Sequence, residues 1–206
     1  KKIFAKIFAF FVVSKIKKSY ANAAQIQINT LKSLINKAKK TKFGIEHEFH
    51  KINSVEDFID KVPIRDYEDI KKYIDEIKKG IKNILWPGKP KYLAKTSGTT
   101  SGVKHIPITN ESMPNHILSS RNALLFYIYE TGDTSFLNGK TIFLQGSPAL
   151  DEINGILIGR LSGIVAHHIP SYLRKNNLPS IKTNSIEDWE EKVNEICKET
   201  INENMT

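Results

Sequence analysis

Apolar residues at helical spacing dominate the first part of the chain. From Ile3 to Lys40 they recur in a pattern that predicts two helices. Ser54 and Asp66 each precede a further helical pattern, and both are expected to cap its first turn. Gly80 follows the second of these patterns and is expected to end it, because glycine readily adopts the positive φ of a helix stop. The first part of the chain is therefore predicted to be helices joined by short turns.

Short apolar runs separated by glycine and polar residues follow from about residue 90 onwards. Extended segments are predicted at residues 92–94 and 103–108. Residues 141–145 predict a buried strand from their β-branched and aromatic content. Between these strands, a helix capped by Thr109 or Asn110 is expected to run to about Glu130.

Residues 155–166 mix small and large apolar side chains. Gly159 and Gly163 lie four positions apart, which predicts a helix that approaches the sheet closely. Ser185 and Asp188 are expected to open a last helix, which ends near Asn202. Helices first, and then helices alternating with strands, predict an α/β fold.

Composition and charge narrow the possible partners. The chain has 206 residues, 40% of them hydrophobic, which is ordinary for a globular protein. Its 31 Lys and Arg against 22 Asp and Glu give a net charge of +9, and a basic balance can indicate nucleic-acid binding. The lysines, however, are spread over helical segments that also carry acids, and only four residues are arginine. Solvated helix faces explain the charge better than a nucleic-acid site does.

The first twenty residues resemble a secretory signal only superficially. Lys15, Lys17 and Lys18 stand between the apolar run and the small residues that imitate a cleavage site, where a signal peptide should carry no such charge. The run is also far shorter than the ~20 residues that span a bilayer. A helix packed on the main domain and a basic helix resting on a membrane surface remain possible. Apolar residues surround nearly the whole helix, which favours burial over membrane attachment.

Cysteine and histidine residues indicate little chemistry of their own. Cys197 is the single cysteine, so an internal disulfide is impossible, and a reducing cytoplasm is the expected location. Cys197 shares an apolar helix face with Trp189, Val193 and Ile196, which predicts packing in the core. The histidine pair 47/50 lacks a third ligand nearby in the sequence, and the neighbours 167/168 diverge and cannot both face one ion, so no metal site is expected.

The sequence TSGTTSGVK, from Thr96 to Lys104, carries the strongest chemical indication. Its two glycines allow close approach of backbone N–H groups, its five hydroxyl side chains can donate hydrogen bonds, and its lysine adds a positive charge. These groups suit a phosphate. Val103 separates the second glycine from Lys104, which excludes the Walker loop, and the glycine spacing excludes the dinucleotide fingerprint.

The same nine residues fit the signature [ST]-[SG]-G-[ST]-[ST]-[GS]-x-x-K of adenylate-forming enzymes. Together with NILWPGKPKYLAK, LNGKTIFLQGSPAL and GRLSGIVAHHIPSYLRKNNLPS, the loop resembles the auxin-responsive Gretchen Hagen three family, and within it the bacterial branch. These are acyl-acid amido synthetases of the firefly-luciferase-like superfamily. The resemblance implies a helical N-terminal segment (residues 1–90) followed by the phosphate-loop part of a mixed α/β adenylation domain (residues 91–206).

The resemblance also implies a function and a set of site residues. A small carboxylic acid would be activated by ATP, with Mg²⁺, as an acyl-adenylate and transferred to an amine, namely an amino acid. Lys104 would be catalytic, neutralising the departing pyrophosphate. The residues expected to bind ATP are Thr96, Ser97, Gly98, Thr99, Thr100, Ser101, Gly102 and Lys104. Those expected to border the acyl-acid pocket, on one helix face, are Asn115, Ser119 and Asn122.

Two other functions remain open at this stage. An acyl-coenzyme A ligase shares the first step and ends on a thiol, and a non-catalytic membrane-associated module would use the first helix as its anchor. The family's adenine and ribose motifs and its C-terminal lid do not occur in the 206 residues. The chain is therefore expected to be the front part of a larger enzyme and inactive by itself.

Overall fold

The computed structural model describes residues 1–96 and 102–205. Within them the chain forms ten α-helices and six strands, with short 3₁₀ turns at Phe49–Lys51 and Ser135–Leu137. The helices are α1 (Lys2–Tyr20), α2 (Ala23–Ala38), α3 (Lys42–Glu46), α4 (Val55–Lys61), α5 (Tyr67–Lys78), α6 (Met113–Thr131), α7 (Leu161–Ala166), α8 (Ser171–Arg174), α9 (Ile181–Asn184) and α10 (Trp189–Thr200). The strands are β1 (Tyr92–Lys95), β2 (His105–Ile108), β3 (Thr141–Ile142), β4 (Asp151–Ile153), β5 (Ile156–Arg160) and β6 (Asn177–Leu178). The α/β class is confirmed.

Two small sheets organise the strands. The larger sheet has the order β2-β1-β5-β4, and β1 pairs antiparallel with β2 so that Lys95 faces His105 and Tyr92 faces Ile108. Asn154 and Gly155 join β4 to β5 and have φ of 50° and 77°, which is the backbone of a tight hairpin turn. The smaller sheet consists of β3 and β6 in parallel.

Helix α5 and the larger sheet share one hydrophobic core. Tyr73, Ile74 and Ile77 line the apolar face of α5 and are almost fully buried, together with Leu93 of β1 and Ile156 of β5. The phenol of Tyr73 also donates a hydrogen bond to Glu46 of α3. Burial and this bond raise the pKa of Tyr73 to about 12. Apolar burial of this kind is the main force that holds a helix on a sheet.

The helix starts predicted at Ser54, Asp66 and Asp188 are confirmed, whereas Ser185 follows the end of α9 and does not open α10. Ser54 with Asp57, and Asp66 with Asp69, each form a reciprocal capping box at the start of α4 and α5. Gly80 has φ of +84° just beyond α5. Helix α6 differs, because it begins at Met113 rather than after Thr109 or Asn110. Pro114 lacks an N–H and is tolerated only in a first helical turn, so an earlier start would place it too deep.

Helix α1 is only partly buried, which corrects the expectation that its apolar surface is covered. Ala9 and Val13 pack against Leu125 and Ile128 of α6 and are inaccessible to solvent. The larger apolar side chains of α1 are exposed, among them Phe4 at 73%. The small residues of this helix face the protein, and the large ones face outward.

The helix predicted over residues 155–166 is wrong in its first half. The turn at residues 154–155 starts a hairpin, so residues 156–160 are strand β5, and only residues 161–166 form helix α7. The close approach inferred from glycine is real at Gly163, because a Cβ there would lie 2.2 Å from the carbonyl oxygen of Ser147. The neighbour is the segment before the hairpin, not the sheet.

The predicted strand at residues 141–145 is shorter than expected. Only residues 141–142 form β3, although the N–H of Phe143 still donates to the carbonyl of Leu178 at 2.7 Å. Pro179 follows Leu178 and has no N–H, so it ends the ladder. Phe143 and Leu144 are at least half exposed rather than buried.

The prediction that Cys197 packs in the core is also wrong. Cys197 is exposed, and so is Trp189. Helix α10 instead buries Lys192, whose ammonium donates to the carbonyl of Asn184 at 2.7 Å. Burial, together with the charge of Arg160, lowers the pKa of Lys192.

The chain forms two compact units. One comprises Lys17–Asn110 and Glu152–Ile158, and the other comprises Lys1–Ile16, Glu111–Asp151 and Gly159–Thr206. The sequence indicated a division at residue 90 into a helical segment and a phosphate-loop part. That domain division stays a prediction. In the described part of the chain, none of the helices is both long and apolar enough to cross a membrane.

Truncating Ile156 tests the shared core. Ile156→Ala removes a fully buried side chain and is expected to lower the free energy of unfolding by about 2–5 kcal/mol, measured by urea denaturation. Ile106→Ala is the matched control, because Ile106 lies in β2 of the same sheet and is 44% exposed. Equal losses in both variants would contradict the assignment of the core.

Candidate functional site

The predicted phosphate loop joins the adjacent ends of β1 and β2. The antiparallel pairing runs up to Lys95 and His105, and the N–H of Thr96 then donates to the carbonyl of Lys104 at 3.0 Å. Residues 97–101 lie outside the described residues, so the predicted roles of Ser97, Gly98, Thr99, Thr100 and Ser101 stay predictions. The two ends of the loop are thus held together by the strand ladder.

Gly102 lies at the C-terminal end of the loop and has φ of +77°. A Cβ at this position would meet no atom within 4 Å, so the space beside Gly102 is open. Glycine is therefore needed here for its backbone conformation and not for close packing. The open side leaves the backbone approachable by a ligand.

Tyr67 fixes the position of Lys104. The ammonium of Lys104 lies 5.4 Å from the centroid of the Tyr67 ring, within cation–π range. The N–H of His105, the next residue, donates to the Tyr67 phenol oxygen at 2.9 Å. Tyr67 begins α5 and packs at the border of the core, so the rigid helix supports the end of the loop. The sequence indicated Tyr67 only as part of an apolar helix face.

His105 also lies at this end of the loop, and no pattern in the sequence points to it. Its Nδ1 is buried without a hydrogen-bond partner. Burial lowers the pKa of His105, and the charges of Lys78 and Lys95 act in the same direction, opposed by Asp75. The neutral ring therefore adds no positive charge beside Lys104 near neutral pH.

The predicted acyl-acid contacts occupy one side of α6. Asn115, Ser119 and Asn122 recur at helical spacing, as the sequence indicated, and Asn115 and Ser119 are exposed. The hydroxyl of Ser119 donates to the carbonyl of Asn115 at 2.7 Å, and the side-chain oxygen of Asn122 accepts from Arg121 at 3.0 Å. The helical alignment is confirmed, whereas a role in binding the acid stays a prediction.

One histidine of each pair, His47 and His167, makes hydrogen-bond contacts within the fold. Nδ1 of His47 lies 2.7 Å from the carbonyl of Phe43, and its Nε2 lies 2.7 Å from the guanidinium of Arg65. His167 contacts the carbonyl of Pro148 at 2.7 Å. Across residues 1–96 and 102–205, no three His, Cys, Asp or Glu side chains converge in a way that could hold a metal ion.

Comparison with known families shows to which family the chain belongs. Residues 12–185 match the GH3 family N-terminal domain. The chain belongs to the GH3 family. This confirms the resemblance to the Gretchen Hagen three family, and the match covers most of the helical segment and the hairpin that carries the predicted phosphate loop.

Individual relatives agree with this family. The chain is 32% identical over 144 residues to the indole-3-acetic acid-amido synthetase GH3.15 of Arabidopsis thaliana, which covers 66% of this chain and 23% of the relative. The solved GH3.15 acyl acid amido synthetase superposes with a TM-score of 0.67 at 22% identity, over 85% of this chain and 31% of that one. Its complex with 2,4-DB gives the same TM-score at 23% identity, over 82% and 30% of the two chains.

These likenesses show the fold of the N-terminal part of a GH3 enzyme. The chain spans less than a third of the length of the relatives it matches, so these likenesses do not show the activity of the whole protein. The relative of known source is a plant protein, and the assignment to a bacterial branch stays a prediction.

Substituting Tyr67 tests its support of the loop. Tyr67→Phe keeps the ring beside Lys104 but removes the acceptor of the His105 N–H, and the free energy of unfolding is expected to fall by about 1 kcal/mol. Tyr67→Leu also removes the ring and should cost more. Tyr20→Phe, at a mostly exposed tyrosine, is the control for loss of a phenol. An equal loss of unfolding free energy in Tyr67→Phe and Tyr20→Phe would contradict the supporting role of Tyr67.

The lowered pKa of His105 predicts a pH dependence of stability. Its ordinary value is 6.5, so as pH falls below this value the unfolded chain binds the proton first. The contribution of His105 is fully present above 6.5 and is lost as pH falls toward the folded-state pKa. His105→Gln should remove this part of the slope in urea midpoints measured across that window, whereas His50→Gln, at an exposed ring, should retain it. An unchanged slope in His105→Gln would contradict the burial argument.

Proposed function

We propose that the full-length protein is an ATP-dependent acyl-acid amido synthetase. It activates a small carboxylic acid as an acyl-adenylate and transfers the acyl group to an amino acid. The observation that carries the proposal is the adenylation signature on a closed strand hairpin, with Lys104 held at its end by Tyr67. Membership of the GH3 family supports it, because the relatives are named as amido synthetases.

The chemistry of adenylation explains the composition of the loop. A carboxylate attacks the α-phosphorus of ATP while pyrophosphate leaves, so two anions must meet and charge develops on the leaving group. Positioned donors and cations lower such a barrier more effectively than water does. No carboxylate occurs between Thr96 and Lys104, so nothing in the loop repels the phosphates.

The residues at the two ends of the loop fit a bound triphosphate. The open space beside Gly102 lets a phosphate approach the backbone, and the half-buried Lys104 has a side chain already aligned on Tyr67. Thr96 and Gly102 would support the loop, and the hydroxyl and amide donors of residues 97–101 would hold the β and γ phosphates. Mg²⁺ would accompany ATP and neutralise part of the phosphate charge.

Lys104 is assigned the catalytic role in this proposal. Its ammonium would neutralise charge as it builds on the departing pyrophosphate. The Tyr67 ring restricts the rotamers of the lysine before ATP binds, which lowers the entropy lost on binding. The neutral state of His105 means that the residue next to Lys104 adds no further positive charge.

The two substrates are proposed from the relatives and from α6. The solved GH3.15 structure holds 2,4-DB, an acyl acid, and this supports a carboxylic acid as the first substrate here. Asn115, Ser119 and Asn122 are proposed to border its pocket. The amino-acid acceptor is proposed because the plant relative is an indole-3-acetic acid-amido synthetase, a name that indicates an amide product.

Carboxylate-dependent ATP–pyrophosphate exchange by the full-length protein tests the first step. Lys104→Ala is expected to lower the exchange rate by about a hundredfold or more, because one cation of the transition state is lost. Lys91→Ala is the matched control, since Lys91 lies beside β1 and its ammonium is 5.3 Å from the Tyr92 ring, yet it is at the opposite end of the hairpin. Lys91→Ala should retain nearly full exchange.

The outcomes of this experiment separate the proposed functions. Absence of exchange with a broad panel of carboxylic acids, or equal rates in Lys104→Ala and Lys91→Ala, would contradict adenylation at this loop. Where exchange is observed, mass spectrometry of the products formed with amino acids or with coenzyme A distinguishes an amide from a thioester. A thioester product alone would replace the amido synthetase by an acyl-coenzyme A ligase.

A further inference from the structure

Helix α1 has two apolar faces on opposite sides. At 100° per residue, Ala9 and Val13 share the side that packs on α6. Ile3, Phe4, Ile7 and Phe11 lie on the other side, which we term the outward face. All four outward side chains are more than half exposed, from 51% for Ile7 to 76% for Ile3.

The sizes of the residues are the reverse of what packing on the protein requires. A helix that serves only to cover a core places its large apolar residues inward, because each removes the most area from water. Here the inward side chains are alanine and valine, and the phenylalanines point outward or to the flanks. Phe8 and Phe10 lie on the flanks of the helix and contact α6. The guanidinium carbon of Arg121 lies 5.8 Å from the centroid of the Phe8 ring, and the ring centroids of Phe10 and Tyr129 are 6.2 Å apart. The outward face has no such cover from α6, and a contiguous apolar patch of this kind marks an interaction surface.

The charges around the outward face are of one sign. Lys1–Tyr20 contains six lysines and no aspartate or glutamate. All six lysines are exposed. Lys1 and Lys2 precede the outward face, and Lys15 and Lys18 extend it beyond Phe11 at the other end of the helix. The outward face is therefore an apolar strip of isoleucine and phenylalanine, which we also call the aromatic strip, with cations at both ends.

We propose that α1 docks on an anionic lipid surface. The helix would lie in the plane of the interface, with its aromatic strip among the acyl chains and its lysines at the phosphate level. Lysine stems can reach upward from an apolar surface, so cations at the ends of the strip do not oppose insertion. The packing of Ala9 and Val13 on α6 would hold the protein at the surface without a spanning segment.

Charge and shape favour lipid over other occupants. A second copy of the chain would bring two helices with six lysines each into contact, and like charges would oppose the apolar gain. A nucleic acid would satisfy the lysines but would leave the phenylalanines exposed between them. The proposal does not depend on the adenylation chemistry, and a protein without that activity could still dock.

Vesicle co-flotation of the full-length protein tests the proposal. The probe is a vesicle of about two parts phosphatidylcholine to one part phosphatidylserine, compared with phosphatidylcholine alone. Binding is expected to the anionic vesicle and to weaken as salt is raised, because the lysine attraction is screened. Phe4→Ser/Phe11→Ser should lower the partition coefficient by at least about tenfold.

Two matched controls separate the helix from general surface properties. Ile59→Ser/Ile64→Ser removes two other exposed apolar side chains, at 64% and 103% exposure, and should bind like the unmodified chain. Lys15→Gln/Lys17→Gln/Lys18→Gln should weaken binding by about a hundredfold, at about fivefold per lysine. Lys32→Gln/Lys37→Gln/Lys40→Gln removes the same charge from α2 and the turn that follows it, and should have a much smaller effect. Circular dichroism confirms that each variant is folded.

Three results would overturn the proposal. One is the absence of flotation with the anionic vesicle. Another is equal flotation of the outward-face variant and its control. The third is sedimentation showing a dimer that Phe4→Ser/Phe11→Ser dissociates, with no binding to vesicles, which would assign the face to a second copy of the chain.

Discussion

The burial of one face of α5 against the larger sheet is the interaction on which the candidate site depends. Tyr73, Ile74 and Ile77 anchor the helix on Leu93 and Ile156, at about 1.5–3 kcal/mol for each large apolar side chain removed from water. The first residue of the same helix then reaches the end of the phosphate loop. A contact between a tyrosine and a backbone N–H is weak by itself, and it supports the end of the loop here because the helix behind it is anchored by buried side chains.

That arrangement resolves a conflict between what a phosphate loop needs and what a fold can hold. Glycine and small hydroxyl residues let a backbone approach phosphate, but they bury little apolar area and lose much conformational entropy on ordering. The chain places such residues between two strands whose ladder continues to Thr96 and Lys104, so the ends of the loop are fixed by hydrogen bonds. The residues proposed to contact the ligand are therefore not required to stabilise the fold.

Local signals in the sequence predicted the elements well, and long-range burial explains where they failed. The capping boxes at Ser54 and Asp66 involve neighbours three residues apart, and both appear as predicted. The exposure of Cys197 and the partial exposure of α1 depend on which side of a helix meets the rest of the molecule, and an apolar pattern on more than one side does not specify that. The hairpin at Asn154 and Gly155 was missed although Asn-Gly is a strong local turn signal, because the glycines that follow at helical spacing outweighed it.

The same distinction applies to the site. The loop motif and Lys104 could be selected from sequence because their residue types are unusual together, whereas Tyr67 and His105 could not. Tyr67 is separated from His105 by 38 positions and looks like any aromatic residue on an amphipathic helix. Its role comes from three-dimensional proximity, which a single sequence does not encode in any local pattern. A motif therefore identifies the groups that touch a ligand, and the packing of the fold identifies the groups that make those contacts possible.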